Sequence, residues 1–495
     1  MSIAVRNLIG GEWKDASTDE VFERRNPADM QEVVSAAPLS DRGEVDVAVE
    51  AARAAFPAWR LMPAPKRGEI LFRAGEILVR RKSVMGQMVT REMGKVLSEG
   101  LGDVQEAIDM AFYMAGEGRR LCGETVPSEL PDKDCKSVRE PHGVMALITP
   151  WNFPTAIPAW KLCPALICGN TVVLKPSSCT PACAAMLVEA LVEAGIPPGV
   201  VNLLHGPGEV VGEYLATHPS VDAVSFTGSC AAGERLEQKL GRLHRPMAAE
   251  MGGKNAIIVM DDADLKLALE GVLWGGFGTS GQRCTAASRV VVHDKVHDLF
   301  LEKLIAAAGR LRLGDGLKKE TDVGPVVNEQ QLNRVLEYIK VGRDEGARLV
   351  IGGKRAESGS LSQGFFVEPA VFADVGPAMR IAQEEIFGPI VSVLRCSGID
   401  EAIAIVNDVQ FGLSASVFSR DVNTTARAER DLQAGLVYIN ASTIGAEIQL
   451  PFGGWKHSGS CHPEAGGRGG ALEFYSRVKV IYRDFSGRLQ KAQID

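Results

Sequence analysis

The chain has 495 residues, of which 45% are apolar and 23% are charged, and its formal net charge at pH 7 is -8. At roughly 150 residues per domain, this length predicts about three domain-sized units, each with its own core. The composition is typical of a globular enzyme, and the negative charge argues against non-specific binding to nucleic acids or anionic membranes. We therefore expect neither nucleic acid nor membrane among the partners.

The N-terminal stretch MSIAVRNLIGGEWKD has an apolar patch that Arg6 interrupts, without the apolar core or cleavage site of a secretory signal. No apolar run approaches the roughly 20 residues that a membrane helix needs. Ten cysteines are spread along the chain without a CxxC pair, which disfavours a zinc or thioredoxin-like site. We expect a cytoplasmic protein with mostly reduced, buried thiols and no metal.

A polar, turn-rich segment at residues 118–138, GRRLCGETVPSELPDKDCKSV, interrupts the predicted regular structure. From about residue 142, strand-like runs such as HGVMALI, TVVLK and VSFTG alternate with helical patterns such as PACAAMLVEALVEAG. This alternation predicts βαβ units around a mostly parallel sheet. A second series of the same kind, from NAIIVM to LVYIN, predicts another α/β unit, joined to the first near EMGGKN at residues 250–255.

Two segments have no local partner in this scheme, residues 118–138 and the closing strand-like run VKVIYRDF at 478–485. They could pair with each other or with another subunit, because an exposed strand edge is a template for pairing. The Gly-rich CHPEAGGRGGA at 461–471 is typical of a loop.

A dinucleotide site is usually marked by GxGxxG after a strand, and that fingerprint is missing here. GPGEVVG at 206–212 has the spacing GxGxxxG, which a simple turn also explains. Two strand ends are more informative, because open α/β sheets bind ligands where strands end and helices begin. Lys175 ends TVVLK, and Gly228 and Ser229 stand between VSFT and a helix, although ordinary loops also have such residues.

Four further residues are candidates for chemistry. Asn152 in PWNFP could donate to an oxyanion or organise a turn. Glu250 in EMGGKN and Glu385 in QEEIFGP could be functional carboxylates, or solvated and salt-bridged ones. Cys284 in GTSGQRCTAASR is either a nucleophile or a buried thiol that packs as a small apolar side chain.

The fragments PWNFP, VVLKPS, FTGS, EMGGKN, GQRC, EEIFGP and PFGG occur in an order and spacing that resemble the aldehyde dehydrogenase superfamily. The resemblance extends from GGEW at residues 10–13 to the closing strand, and it implies NAD(P)-dependent oxidation of an aldehyde to a carboxylic acid. The matching cysteine, Cys284, would form a thiohemiacetal and, after hydride transfer to the nicotinamide, a thioester that water hydrolyses. Glu250 matches the base that activates this water and could also deprotonate Cys284, while Asn152 and the Cys284 backbone N–H would hold the oxyanion.

The resemblance also implies where the cofactor binds. Lys175 would contact the adenosine ribose, Gly228 and Ser229 the pyrophosphate, and Glu385 the nicotinamide ribose. The remaining expected cofactor contacts are Ile148, Trp151, Ser178, Gly208, Met251 and Phe387.

Ser178 bears on the choice between NAD and NADP. Many NAD-preferring relatives have a glutamate at this position, which would repel a 2′-phosphate. With Lys175 available to the phosphate, we expect NADP to be accepted and preferred over NAD. A nearby acid such as Glu209 could still take the place of the missing glutamate.

The resemblance implies an α/β fold with three parts. A Rossmann-like dinucleotide-binding domain would comprise residues 1–120 and 139–252, and a second α/β catalytic domain residues 253–452. A small β oligomerisation arm would comprise residues 121–138 and 473–490, giving a homodimer or homotetramer.

Several alternatives remain at this point. CoA-acylating members tend to lack a glutamate at the position of Glu250, so its presence favours hydrolysis. A catalytically silent binding or structural protein is disfavoured because Cys284, Glu250 and Asn152 are all present. The substrate is also open at this point. The resemblance is greatest to members that act on semialdehydes such as α-ketoglutarate semialdehyde, or on glyceraldehyde 3-phosphate without phosphorylation, in the stretches GQRCTAASR and INASTIGAEIQLPFGG. A broad aliphatic aldehyde dehydrogenase is a further alternative. Arg283 could pair with a substrate anion or form a structural salt bridge.

Overall fold

The computed structural model describes residues 2–18, 20–460 and 462–491. In chain order, its strands are β1 (Ile3–Ala4), β2 (Asn7–Ile9), β3 (Glu12–Lys14), β4 (Val21–Asn26), β5 (Asp29–Pro38), β6 (Thr125–Pro127), β7 (Lys133–Pro141), β8 (Val144–Ile148), β9 (Thr171–Lys175), β10 (Val201–Leu203), β11 (Ala223–Thr227), β12 (Met247–Glu250), β13 (Asn255–Val259), β14 (Ala287–His293), β15 (Arg348–Ile351), β16 (Ala370–Ala373), β17 (Ile390–Cys396), β18 (Phe411–Gly412), β19 (Ser414–Phe418), β20 (Leu436–Ile439), β21 (Trp455–Lys456) and β22 (Ser476–Asp484).

The α-helices are α1 (Arg42–Leu61), α2 (Ala64–Met93), α3 (Leu97–Glu117), α4 (Ala156–Cys168), α5 (Pro181–Glu193), α6 (Glu213–Thr217), α7 (Cys230–Arg242), α8 (Leu265–Phe277), α9 (Asp294–Ala308), α10 (Glu329–Asp344), α11 (Arg380–Gln383), α12 (Ile399–Asn407), α13 (Val422–Asp431) and α14 (Leu472–Tyr475). Short 3-10 or π turns lie at Gly208–Gly212, Gly278–Gly281, Gly359–Gln363 and Gly467–Ala471. Within the described ranges, no helix is long and apolar enough to cross a membrane.

The first large sheet has the strand order β12-β11-β8-β9-β10-β2-β3. Strands β12 to β10 are parallel, and β2 and β3 extend the sheet antiparallel. Successive residues of β8 enter different cores, because side chains alternate between the two faces of a strand. Met145 and Leu147 pack with α4 and α5, whereas Val144 and Ala146 pack with α1 and α7. Helices therefore cover both faces, which confirms the predicted Rossmann-like α/β arrangement.

The second large sheet has the order β15-β16-β17-β14-β13-β19-β20 and is parallel except for β15. Ile257 and Val259 of β13 pack with α8 and α9, and Ala256 and Ile258 pack with α10 and α12. The predicted helix LKLALEGVLWGGF is α8. The chain passes from the first sheet to the second through residues 251–254, between the end of β12 and the start of β13.

The two segments without local partners pair with each other. Strand β22 runs antiparallel to β7, from Ser476 opposite Pro141 to Asp484 opposite Lys133, and β6 completes a three-stranded sheet. The Gly-rich segment at 462–471 is loop-like and includes the irregular turn Gly467–Ala471. Its preceding residue, Cys461, lies outside the described residues.

Candidate active site

Cys284 lies in a tight loop just before β14. Thr279 and Ser280 in this loop have φ angles of 51° and 56°, a left-handed conformation that is uncommon for residues with a side chain. Long-range hydrogen bonds hold the loop: the Glu99 carboxylate accepts from the Thr279 N–H at 2.9 Å, and Asn255 Nδ2 donates to the Cys284 carbonyl at 2.6 Å. Residues that their surroundings hold in such uncommon backbone conformations are concentrated at functional sites.

The Cys284 thiol is partly buried and lies near several carboxyl groups. Burial raises its pKa, and the negative charges of Glu250, Glu385 and Glu464 raise the pKa further. The thiol is therefore protonated at neutral pH. Since the thiolate is the nucleophilic form, a base must take its proton before it can attack.

Glu250 ends β12 and is only 3% exposed. Its Oε2 accepts a hydrogen bond from the Gly454 N–H at 3.2 Å. A Cβ atom on Gly459 would lie 3.0 Å from Oε1, so the PFGG segment and the following turn leave just enough room for this carboxyl. Burial raises the pKa of Glu250 well above its usual value, and the charge of Glu464 raises it further. Both effects favour the protonated form of Glu250 over the carboxylate.

A buried ion pair between Lys161 of α4 and Glu464 lies behind Glu250. Lys161 Nζ also donates to Ser225 Oγ at 2.8 Å, and Thr227 Oγ1 donates to Glu464. Glu464 raises the pKa of Glu250 while Lys161 lowers it. The proton affinity of Glu250 is therefore set by this pair as well as by burial.

Asn152 is 3% exposed and lies between β8 and α4. The next residue, Phe153, lies against the Arg283 guanidinium, 5.3 Å from its ring centroid. Because Arg283 directly precedes Cys284, this contact brings the Asn152 loop against the Cys284 loop. Asp103 fixes the other end of the Asn152 loop by accepting from backbone N–H groups at the start of α4.

Arg283 forms a structural salt bridge with Glu99. The sequence had allowed either this role or pairing with a substrate anion. Arg283 Nη2 donates to Glu99 Oε1 at 2.8 Å and its Nε donates to Thr279 Oγ1 at 2.8 Å. Nη1 makes no hydrogen bond within the described part of the chain. The guanidinium is thus held in one orientation while one of its nitrogens still has hydrogens to donate.

The predicted cofactor residues of the first sheet meet at one edge. Ile148 ends β8, Lys175 ends β9, Gly228 follows β11 and Met251 follows β12. These strands are adjacent and parallel, so their carboxyl ends lie together, where open α/β sheets bind ligands. Ser229 precedes α7 without a side-chain hydrogen bond to the helix, which leaves N–H groups at the helix start for a phosphate.

The Gly208–Gly212 turn lies over Lys175. A Cβ atom on Gly212 would be 3.5 Å from Lys175 Cδ and 3.9 Å from Ile148 Cδ1. Lys175 is 4% exposed, and burial lowers its pKa to about 8. Ser178 Oγ donates to the Gly206 carbonyl at 3.0 Å, so in this structure its hydroxyl hydrogen is directed to the backbone.

Glu385 and Phe387 reach this edge from the second unit. Glu385 Oε1 accepts from the Gly253 N–H at 2.9 Å, and a Cβ atom on Gly252 would come within 2.1 Å of its carboxylate. The two glycines of EMGGKN thus make room for a carboxylate of the chain itself. The Phe387 and Trp151 rings meet edge to face, with centroids 5.3 Å apart.

Several residues that shape this site were not identified from the sequence, namely Glu99, Asp103, Lys161, Asn255 and Glu464. Each acts through contacts with distant segments, so no local pattern marks it. A group of three or more His, Cys, Asp or Glu side chains suited to a metal ion is not found among the residues that the structure describes.

Comparison with known proteins shows which family the chain resembles. The model of the Aldehyde dehydrogenase family matches residues 13–481. The alpha-ketoglutaric semialdehyde dehydrogenase of Bacillus subtilis is 42% identical over 96% of this chain and 97% of its own length. The alpha-ketoglutarate semialdehyde dehydrogenase of Haloferax volcanii is 44% identical over 97% and 99%, respectively.

Among solved structures, betaine aldehyde dehydrogenase of Staphylococcus aureus in complex with NAD+ matches with a TM-score of 0.96 and 34% identity, over 100% of this chain and 97% of that chain. The chain therefore belongs to the aldehyde dehydrogenase family and is an aldehyde dehydrogenase.

Proposed function

We propose that this enzyme oxidises an aldehyde with a distal carboxylate, of the α-ketoglutarate semialdehyde class, to the corresponding acid. The observation that carries this proposal is the side chain of Arg283, the residue directly before Cys284, whose Nε and Nη2 are paired while Nη1 makes no hydrogen bond within the described ranges. A guanidinium held in place by its neighbours is well suited to bind a carboxylate. The names of the Bacillus subtilis and Haloferax volcanii relatives support the same substrate class.

In the proposed mechanism, the Cys284 proton passes to the ionised Glu250 carboxylate or to solvent water, and the sulfur attacks the aldehyde carbon. The carbonyl oxygen becomes an oxyanion, which the Asn152 amide and the Cys284 backbone N–H stabilise. The bound nicotinamide supplies the hydride acceptor. Glu250, once ionised, takes a proton from water, and the resulting attack on the thioester releases the acid and the Cys284 sulfur.

The residues at the sheet edge fit a dinucleotide. Lys175 is buried and makes no hydrogen bond through Nζ within the described ranges, and the start of α7 offers backbone N–H groups. We assign Lys175 to the adenosine ribose, Gly228 and Ser229 to the pyrophosphate, and Glu385 to the nicotinamide ribose. The proposed lining of the cleft is Ile148, Trp151, Gly208, Met251 and Phe387.

We further propose that NADP is preferred over NAD. Ser178 brings no negative charge to Lys175, so a 2′-phosphate would meet an ammonium without an opposing carboxylate at that position. Because Ser178 Oγ donates to the Gly206 carbonyl, we propose Lys175 rather than the Ser178 hydroxyl as the phosphate contact.

We propose a dinucleotide-binding domain at residues 1–120 and 139–252 and a catalytic domain at residues 253–452. Residues 121–138 and 473–490 form the proposed oligomerisation arm. Within the described residues, β22 pairs only with β7, and its Val478, Val480 and Tyr482 are 57%, 54% and 67% exposed. Alternating apolar residues on an exposed edge strand favour association. We therefore propose a homodimer or homotetramer, which sedimentation of the purified enzyme would test.

The substrate proposal is tested by comparing kcat/KM for α-ketoglutarate semialdehyde and succinate semialdehyde with kcat/KM for hexanal. We expect the two anionic substrates to be preferred. Preference for hexanal would indicate a broad aliphatic aldehyde dehydrogenase instead.

A further inference from the structure

Strand β11 places two hydroxyl side chains on one face, next to the candidate base Glu250. Ser225 and Thr227 are two residues apart on this strand, and residues at that spacing share a face. Thr227 is the register partner of Glu250 on the adjacent parallel strand β12, so the two side chains point to the same side of the sheet. Ser225 therefore lies on the face of the base, one step further back along β11.

A continuous series of hydrogen bonds runs along this face behind the base. The Tyr475 hydroxyl donates to Ser225 Oγ at 2.9 Å, and Lys161 Nζ donates to the same oxygen at 2.8 Å. Lys161 is also ion-paired with Glu464, which accepts a hydrogen bond from Thr227 Oγ1. The five residues are at most 8% exposed, so bulk water has little access to replace a partner that is lost.

Tyr475 reaches this series from an anchored backbone. It is the last residue of α14, and β22 begins at the next residue. The Tyr475 carbonyl accepts from Asn170 Nδ2 at 2.8 Å. Burial raises the pKa of Tyr475 well above its usual value, and Glu464 and Cys168 raise it further, so its hydroxyl keeps its hydrogen. The start of the β22 segment thus supplies a fixed neutral donor to Ser225.

Lys161 depends on both of its side-chain partners. An ammonium taken out of water is costly unless a counter-charge and hydrogen-bond acceptors replace its hydration. Glu464 supplies the charge, and Ser225 Oγ supplies a neutral acceptor. Without the Ser225 hydroxyl, one N–H of the buried ammonium would lose its acceptor, which favours the neutral amine over the ammonium.

The charged groups that face Glu250 come from three elements. Burial raises the pKa of Glu250, Glu464 from the loop before α14 raises it further, and Lys161 of α4 lowers it. In the loop before β14, burial raises the pKa of Cys284 and the charge of Glu250 raises it further. Lys161 is therefore the positive charge that favours the ionised form of Glu250.

We infer that Ser225 is a positioning residue for the candidate base Glu250: together with Tyr475, it holds the Lys161 ammonium on Glu464 and so keeps a positive charge behind the base. This inference rests on the role of Glu250 in the proposed function. Ser225 acts through Lys161 and not on the reacting atoms. Its loss should weaken the ammonium, and Glu250 should then keep its proton to a higher pH.

The test measures steady-state kcat against pH for the full-length parent enzyme, Ser225→Ala and Glu250→Gln, with saturating succinate semialdehyde and cofactor. The rise with pH that Glu250→Gln removes is the titration of Glu250. In Ser225→Ala, the midpoint of this rise should move up by about one pH unit, the size of effect expected when a charged group loses a hydrogen bond. A purely structural role of Ser225 would lower kcat without moving the midpoint.

Tyr475→Phe should move the midpoint in the same direction by a smaller amount, because it removes only the donor that orients Ser225. This variant decides the question if Ser225→Ala does not fold. Ser392→Ala is the matched control: Ser392 is fully buried on β17 of the second sheet, and its Oγ donates to the Ile381 carbonyl at 3.3 Å. Its midpoint should equal that of the parent enzyme.

An unchanged midpoint in Ser225→Ala, whatever its kcat, would overturn the inference and leave the proposed function standing. A pH profile that Glu250→Gln does not alter would instead overturn the proposed role of Glu250 as the base.

Discussion

Asn255, the first residue of β13, donates a hydrogen bond from its side-chain amide to the Cys284 carbonyl at 2.6 Å. The same side chain donates to the Ala286 carbonyl at 3.0 Å and accepts from the Ser414 N–H at 3.0 Å. One buried residue thus ties the loop of the candidate nucleophile to two strands of the second sheet. The position of the sulfur depends on a rigid strand end rather than on the loop alone.

Asn255→Ala should therefore lower both stability and activity. Loss of these hydrogen bonds inside the protein should reduce the free energy of unfolding by about 2 kcal/mol, measured by urea denaturation. The released loop should lower kcat by at least about tenfold, since small displacements of a nucleophile are costly.

Asn202→Ala is the matched control for this change. Asn202 is also buried, donates to two backbone carbonyls and accepts one N–H, but it lies on β10 of the other sheet. It should lose similar stability while kcat stays near the parent value. Equal losses of kcat in the two variants would show that Asn255 has no special role at Cys284.

Cys284→Ala should abolish aldehyde oxidation, because the covalent route needs the sulfur. Cofactor binding should remain largely intact, since the proposed dinucleotide contacts lie on other segments. Steady-state turnover and fluorescence titration with NADP and NAD measure the two effects. Substantial turnover by the variant would rule out Cys284 as the nucleophile.

Glu250→Gln should impair hydrolysis of the thioester more than its formation. Rapid mixing should then show a burst of reduced cofactor followed by slow turnover, provided that Glu250 is not also needed to deprotonate Cys284. Unchanged steady-state turnover would count against Glu250 as the base.

The same residue predicts a pH dependence. The pKa of Glu250 is raised by burial and by Glu464, so the carboxylate needed to activate water becomes more populated as the pH rises. Steady-state hydrolysis in the parent enzyme should therefore increase as the pH rises through the raised pKa of Glu250. This increase should be absent from the slow phase of Glu250→Gln.

The regular elements from about residue 142 onward could largely be predicted from the sequence, whereas helices α1, α2 and α3 were not predicted. Parallel strands buried on both faces form continuous apolar runs such as VMALI and NAIIV, and helices such as α8 lie between them with clear boundaries. The pairing of β7 with β22 was one of two possibilities, because strand sequence alone does not select its partner.

The side-chain network of the site could not be predicted in the same way. Lys161 and Glu464 are 303 residues apart, and each looks unremarkable in its own segment. Arg283 could be recognised as either a substrate contact or a structural cation, and the structure shows its ion pair with Glu99. Local sequence indicates which residue types are present, whereas burial and long-range packing decide their partners and pKa values.

Ser178→Glu should shift cofactor preference from NADP towards NAD. A glutamate here would repel the 2′-phosphate and could accept hydrogen bonds from the ribose 2′-hydroxyl, so KM for NADP should rise more than KM for NAD. Burial lowers the pKa of Lys175 to about 8, so the parent enzyme should also lose affinity for NADP between pH 7 and pH 9 as this ammonium loses its proton. NAD carries no 2′-phosphate, and its affinity should change less. Ser178→Ala is the control, because the hydroxyl contacts Gly206 and its removal should leave the preference nearly unchanged. An enzyme that does not use NADP, or a Ser178→Glu variant with unaltered preference, would show that the 2′ position is recognised elsewhere.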